Sequence, residues 1–564
     1  MPFKFRQHLL QRKTTGKIST SAQAEEETLW RMPIVTRFKH FVLTLMLPAL
    51  LSGAAATHVK SSNGPLRFRV TLSKDIASKP LQGRLLIFMS DSKQQQEMLD
   101  AGFIPGATWV AAMELEAIRP GETIYFDPDI KAYPAPFSSA KAGTYQFMAL
   151  LDTDHSYPYG TGLDGNSYYS TVTRIASIDP SDAAPVELTV DRRYKERPKP
   201  VDTAQVKLVE FQSPMLTRFW GRPIFIQAGV VLPPSYDKGS DRRYPTAYLV
   251  HGYGGDHTAA WARGPSLVSQ MTAGTVPEMV VVFLNGHLPT GHHEFADSAN
   301  NGPWGAALTQ EFIPFLESRF RLVAHPYGRF LTGHSSGGWS TLWLQVTYPD
   351  FFGGTWSTSP DPVDLHSFTG IDATPGSTDN AYTNKDGKPK NLVRANGQDI
   401  ASVEQFAKQE AVLGEYGGQF ASFEWVWSPK GPDGRPMKLF NRDTGELDPA
   451  VEQAWTKYDI RRILDEHWAT LGPKLKGKIN LTVGTADTFH LNEPLALLCD
   501  FLKGKGSDAV CEMVPGRTHM DLYKAYQTYP DGLLVRIMKE MGAKFEGATG
   551  KSKGHAAAGP RGKS

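Results

Sequence analysis

The alternation of hydrophobic and polar positions changes rhythm near residue 200. Between 60 and 195, apolar and polar residues alternate in short runs, "LRFRVTL", "GRLLIFMS", "GTYQFMALLD" and "PVELTVD", separated by Pro/Gly/Asp-rich turns. A period of two buries every second side chain on one face, so residues 57–195 are expected to form a β-sandwich. "RRYKERPKPVDTAQ" (192–205), charged and proline-bearing, reads as a linker. Beyond it the period lengthens. "GRPIFIQAGVVLP" reads as a strand pair, and "PTAYLVHG" and "PEMVVVFLNG" as compact apolar strands ending at glycine. "LTQEFIPFLESRFRL" carries a helical stripe, followed by strand "YGRFLTG" and helix "GWSTLWLQVTYP". A stretch rich in Gly, Asp, Asn and Trp fills 360–470. The alternation then resumes with strand "KINLTVG", helix "NEPLALLCDFL", strand "AVCEMVPG" and a last helix from about Leu522 to Met541. Strands alternating with helices predict an α/β domain over 206–545, its mostly parallel sheet covered on both faces.

Composition narrows the partners. A chain of 564 residues, 40% of them hydrophobic, has room for several packed domains, and a formal net charge of +2 argues against nucleic acid as a partner. The N-terminus changes the address. "TRFKHFVLTLMLPALLSGAAATH" joins basic Arg37 and Lys39 to an apolar run and then to small residues Ala54–Ala56, the order of a signal peptide too short to span a membrane. Residues 1–56 are thus read as an N-terminal extension and signal peptide, with Met32 the expected start. The mature chain is expected to be secreted or periplasmic, with no integral membrane segment. In that setting the two cysteines, Cys499 and Cys511, which lack a C-x-x-C spacing, are expected to pair. Residues 546–564 read as a disordered tail. Nothing in the sequence bears on oligomeric state.

The chemistry centres on "RFLTGHSSGGWSTLW" (329–343). A nucleophile elbow has the form G-x-S-x-G, and only Ser335, flanked by Gly333 and Gly337, is in register; Ser336 is not. Asp487 follows the strand "KINLTVG", and His519 follows the last strand, which completes the chain order Ser, Asp, His of an α/β-hydrolase. His519 then serves as general base and Asp487 orients its ring. The oxyanion hole is expected from the backbone N–H groups of Ser336 and of Tyr253 in "VHGYGG". Asp465 and Asp361 compete with Asp487 as the acid, and His490 and His467 with His519. "GHHE" (291–294) looks metal-like but reads as solvated histidines, so no metal is expected. His251 is a candidate substrate contact. Trp356, Trp425 and Trp427 line an aromatic pocket or belong to the core. Asp297 and Glu311 read as structural.

On "HGYGG", "ADSANNGPWGAALTQEFIPFLESRFRL", "GRFLTGHSSGG", "GTAD" and "GRTH", the region 206–545 resembles the esterase D and enterochelin-esterase-like branch of the α/β-hydrolases. The resemblance implies hydrolysis of carboxylic esters by the residues named. The insertion at 360–470 and the N-terminal β-domain depart from the family core, and the insertion is expected to lie over the site as a lid. The reading is an exported serine carboxylesterase without a cofactor, acting on a small-molecule or polysaccharide-linked ester; feruloyl, acetyl-xylan and siderophore esters all fit. The alternatives are a serine peptidase of oligopeptidase-like type, or a polysaccharide-binding protein on a hydrolase scaffold.

Overall fold

The computed structural model describes residues 64–159, 165–237, 241–414 and 416–550. The signal peptide and Met32 lie outside them, as do residues 551–564 of the tail. Among the described residues no helix is long and apolar enough to cross a membrane.

In the N-terminal half, nine strands pair into a single connected sheet rather than two separately paired layers. The sheet curls on itself. Two strands separate Phe68–Leu72 from Gly143–Asp152 in the hydrogen-bonding order, which would hold them about 14 Å apart in a flat sheet. The rings of Phe68 and Phe147 nevertheless meet at 5.4 Å. Leu85, Ile87 and Met89 point into this enclosed core, and the alternate positions Leu86 and Phe88 point outward. That outer face is buried too, against Val412 and Leu413 of the helix Val403–Leu413. Arg84 fixes the contact by donating from Nε and Nη2 to the Val412 carbonyl at 3.0 and 2.7 Å, so a helix end that lacks its own donors is satisfied by the β-domain.

The second half is built on eight strands. Across the sheet they run Val206–Gln212, Phe225–Val231, Val280–Leu284, Thr246–Val250, Arg329–His334, Gly354–Thr358, Ile479–Gly484 and Val510–Val514. The first two pairings are antiparallel and the other five parallel. Parallel strands send all their following loops to one edge, where open α/β sheets gather their ligands. "GRPIFIQAGVVLP" is one strand and not a pair. Its partner Val206–Gln212 begins where the sequence reads as linker ends. The helix expected over 308–322 starts earlier, with Trp304–Ala307, and passes through a π-turn, Leu308–Phe312, before Ile313–Arg319, because Pro314 has no N–H for the preceding turn. The last helix is Leu533–Thr549. Pro530 and Gly532 keep the chain ahead of it irregular, and its far end takes up residues expected in the tail.

The 360–470 insertion is not a detachable lid. Phe420, Phe423, Val426, Trp427 and Trp455 pack in one cluster with Trp339 and Leu342 of the helix Ser336–Thr347 and with Leu481 of the central sheet. Removing it would strip that helix of its cover.

Candidate active site

Gly333 and Gly337 are required by close approach. A Cβ on Gly333 would lie 2.2 Å from the Gly337 carbonyl oxygen, and one on Gly337 would lie 2.1 Å from that of Val250. Ser335 sits between strand and helix with φ 59° and ψ −126°, a conformation that an L-residue holds only under surrounding constraint. Ser336 opens the helix, where the first N–H groups have no intrahelical partner. The strand Thr246–Val250 lies beside the nucleophile strand in register, Val250 opposite Gly333. The following loop is therefore delivered to Ser335: a Cβ on Gly252 would stand 3.2 Å from the Ser335 Cβ. Tyr253 comes next. Its hydroxyl lies 2.6 Å from the Pro158 carbonyl of the β-domain and also reaches that of Gly417.

Asp487 and His519 meet on the loops after the last two strands. His519 Nδ1 stands 2.9 Å from Asp487 Oδ2, and both residues are buried. Asp487 Oδ1 accepts from the N–H groups of Phe489 and Leu491 at 3.0 and 3.3 Å. Burial pushes the Asp487 carboxyl up, yet the His519 charge, its hydrogen bond and the Phe489 N–H together hold it below its ordinary value. Arg394, from the insertion, clamps the same loop by donating to the carbonyls of Asp487 and Thr485 at 2.7 and 3.1 Å. No sequence motif marks Arg394. His519 also meets the rings of Phe489 and His334 at 4.9 and 4.3 Å.

Asp361, weighed from sequence as an alternative acid, does not face His519 as a partner. It lies behind the two serines: Ser336 Oγ donates to its Oδ2 at 2.6 Å and Ser335 Oγ to its Oδ1 at 3.3 Å. Burial first, and then the nearby Glu294, push its carboxyl up to about 7 against the two serine bonds and the His519 charge. Glu294 is itself buried, takes a hydrogen bond from Ser340 at 2.9 Å, and is driven well up by burial. The other competitors lie elsewhere. Asp465 pairs with Lys505 at 2.9 Å, and His490 with Glu493 at 3.2 Å. His467 sits at a kink in the helix Ile460–Leu475.

Several expected contacts prove structural. Both ring nitrogens of His251 engage backbone, Nδ1 with the Gly252 carbonyl at 2.7 Å and Nε2 with the Gly286 N–H at 2.8 Å, so it has none left for substrate. Burial and His292 push it down to about 3. Trp356 donates to Glu540 at 2.7 Å inside the core beneath the sheet. Trp427 meets Trp339 at 5.1 Å and Trp455 at 5.0 Å, and Trp425 is buried beside Tyr416. "GHHE" is not solvated: His292 and His293 are fully buried, and His293 stacks on Trp304 at 3.8 Å. Among the described residues no cluster of three or more His, Cys, Asp or Glu is placed to hold a metal. Asp297 and Glu311 each take backbone N–H groups, of Ala306 and Met215. The aromatic lining is phenylalanine instead. A pocket beside Ser335 and Asp361 is walled by Phe103, Phe406, Phe420, Phe423 and Phe489. Phenylalanines scattered over more than 300 positions carry no local signal of this meeting.

Residues 225–489 match the family described as "Putative esterase". A 144-residue stretch is 32% identical to an esterase of Mycobacterium tuberculosis, covering 25% of this chain and 30% of that protein. A 132-residue stretch is 28% identical to an endo-1,4-beta-xylanase/feruloyl esterase of Xylanibacter ruminicola, covering 22% and 18%. The matches thus span less than a third of either relative. Among solved structures, a ferulic acid esterase from Anaeromyces mucronatus aligns with TM-score 0.33 and 15% identity over 62% of this chain and 94% of that one. An S-formylglutathione hydrolase from Staphylococcus aureus aligns with TM-score 0.36 and 14% identity over 60% and 98%.

Proposed function

We propose that this chain is an exported serine hydrolase that cleaves carboxylic esters through an acyl-enzyme, with Ser335 as nucleophile. One observation carries the reading. A serine at positive φ between strand and helix shares a sheet edge with a histidine whose ring is held by a buried carboxylate. For attack, the Ser335 hydroxyl turns from Asp361 toward His519. Its oxygen bonds to the ester carbonyl carbon, and its proton passes to Nε2, while Asp487 holds Nδ1–H and stabilises the imidazolium. The oxyanion is received by the N–H groups of Ser336 and Tyr253. Collapse expels the alcohol, which takes the proton from His519. Water, activated by the same histidine, then releases the acid and restores Ser335. Acyl transfer of this kind uses no cofactor.

The phenylalanine walls support an ester with an aromatic or bulky apolar group, and a feruloyl ester, named in one relative, fits that chemistry. Export is supported by the disulfide between Cys499 and Cys511, Cα atoms 6.1 Å apart, since such bonds persist in oxidising compartments. The test is labelling of the full chain by a fluorophosphonate. The adduct is expected on Ser335 and is lost in Ser335→Ala. An adduct on Ser336, or full esterase activity in Ser335→Ala, overturns the assignment. N-terminal sequencing of exported protein should begin near Thr57.

A further inference from the structure

The β-domain reaches into the active site. The segment "MLDAGFIPGATW" (98–109) leaves the sheet, and within it Gly102 turns the chain at φ 72°, a conformation that glycine adopts without strain. The turn is anchored on both sides. Leu99 and Ala101 are buried beneath it with Phe88 and Tyr157, and the Gly102 carbonyl accepts from Gln409 Nε2 of the insertion at 2.8 Å. Phe103 follows and projects into the catalytic half. Its ring lies 5.0 Å from Phe406 of the insertion, 5.7 Å from Tyr253 of the oxyanion loop and 6.2 Å from Phe489, which itself packs on His519. With Ser335 it lines the same cavity.

We propose that Phe103 is a specificity-determining residue, the β-domain's contribution to the substrate pocket, closing one wall of the chamber against the apolar group of the ester. This rests on the reading of Ser335 as nucleophile and deepens it. Three independent parts of the chain supply phenylalanines to one space: the β-domain Phe103, the insertion Phe406, Phe420 and Phe423, and the acid loop Phe489. A pocket assembled this way keeps all its apolar walls only while the domains stay docked, and an aromatic lining favours a flat apolar occupant. The docking is polar as well as apolar at this edge. Tyr159 of the β-domain donates to the Gly255 carbonyl at 3.0 Å, and its ring meets Tyr253 at 4.7 Å. Substrate recognition and domain docking are therefore one surface.

The experiment measures kcat/KM of the full chain, Phe103→Ala and Phe103→Trp on two series: 4-nitrophenyl esters from acetyl to cinnamoyl, and acetate esters from ethyl to naphthyl. In the series where the wild type prefers the aromatic member, that preference is expected to fall at least tenfold in Phe103→Ala. In Phe103→Trp, which narrows the chamber, it should shift toward smaller groups. Preferences unchanged within twofold in both variants would overturn the proposal. A second readout does not depend on turnover: binding of cinnamate and of 2-naphthol to Ser335→Ala with and without Phe103→Ala, by calorimetry. Weakening of either at least fivefold is expected; equal affinities count against the proposal. If the wild type cleaves none of the esters and yet this binding depends on Phe103, the esterase reading fails and the pocket assignment stands.

Discussion

At the scale of single residues, the serine pair divides two tasks between a side chain and a backbone. Ser335→Ala removes the attacking oxygen, and the loss in kcat should be on the order of 10⁶, as for a nucleophile acting within a unit. Ser336→Ala leaves its N–H in place and should keep turnover within about tenfold. It removes the hydroxyl that donates to Asp361 at 2.6 Å, so it should cost about 1–3 kcal/mol in urea unfolding. Asp487→Asn keeps the shape but not the charge that orients His519, and kcat should drop by about 10⁴. The glycines were legible at this scale, because their spacing follows from backbone contacts within a few residues. Asp361 was legible only as a candidate. Its position behind both serines depends on a strand, Gly354–Thr358, being laid beside the nucleophile strand.

At the scale of elements, the insertion and the disulfide each brace a catalytic loop from outside. The bond between Cys499 and Cys511 ties the helix Asn492–Gly504 to the strand Val510–Val514, the segment between Asp487 and His519. Closing a loop of this length restricts the unfolded chain, and Cys499→Ser with Cys511→Ser should lower stability by about 3 kcal/mol in urea titration. Arg394→Ala frees the Asp487 loop from the insertion. It should reduce kcat roughly tenfold or more while leaving the helix content of the circular dichroism spectrum unchanged. Deleting 360–470 is a harsher change. Since its aromatic residues cover the helix that follows Ser335, the shortened chain should fail to give a cooperative thermal transition, and a folded, active product would contradict that packing. Element types were largely readable from periodicity. Their limits were not where prolines intervened: the π-turn before Pro314 and the late start of the last helix both follow from missing N–H groups.

For the whole molecule, buried carboxyls and buried histidines together set the response to pH. Asp361 and Glu410 are pushed up to about 7 and Asp152 to about 8, each first by burial. In the unfolded chain such groups ionise near 4. Between about pH 4 and pH 8 these carboxyls therefore hold more protons in the folded state than in the unfolded one, and their contribution falls as pH rises. Buried His251, His287 and His292, pushed down to about 3, 4 and 3 chiefly by burial, act oppositely, adding stability as pH rises to about 6.5 and nothing further above about 7. Asp487, held low, likewise opposes those carboxyls: its contribution is present above its unfolded value and is lost only as strong acid protonates the folded form. The urea midpoint should accordingly be lower at pH 8.5 than at pH 7, a range in which the buried histidines are neutral in both states. Asp361→Asn should narrow the gap, chiefly by raising the midpoint at pH 8.5. A midpoint flat across the window would show that these carboxyls are ionised in the folded protein.

The sequence by itself determined the strand–turn–helix of the elbow, the order Ser335, Asp487, His519, and the alternation that builds a central parallel sheet. Each depends on spacing along the chain or on a residue type that one backbone conformation demands. Only the tertiary structure decided that the β-strands of the first half close as one curled sheet and that His251 is spent on its own backbone. It alone showed that Trp356 and Trp427 are core while phenylalanines line the pocket. The physical reason is common to all of these. A hydrophobic residue reports in sequence that it will be buried, but which distant residue it will be buried against is settled by the packing of surfaces hundreds of positions apart. Phe103 and Ser335 share one cavity for that reason alone.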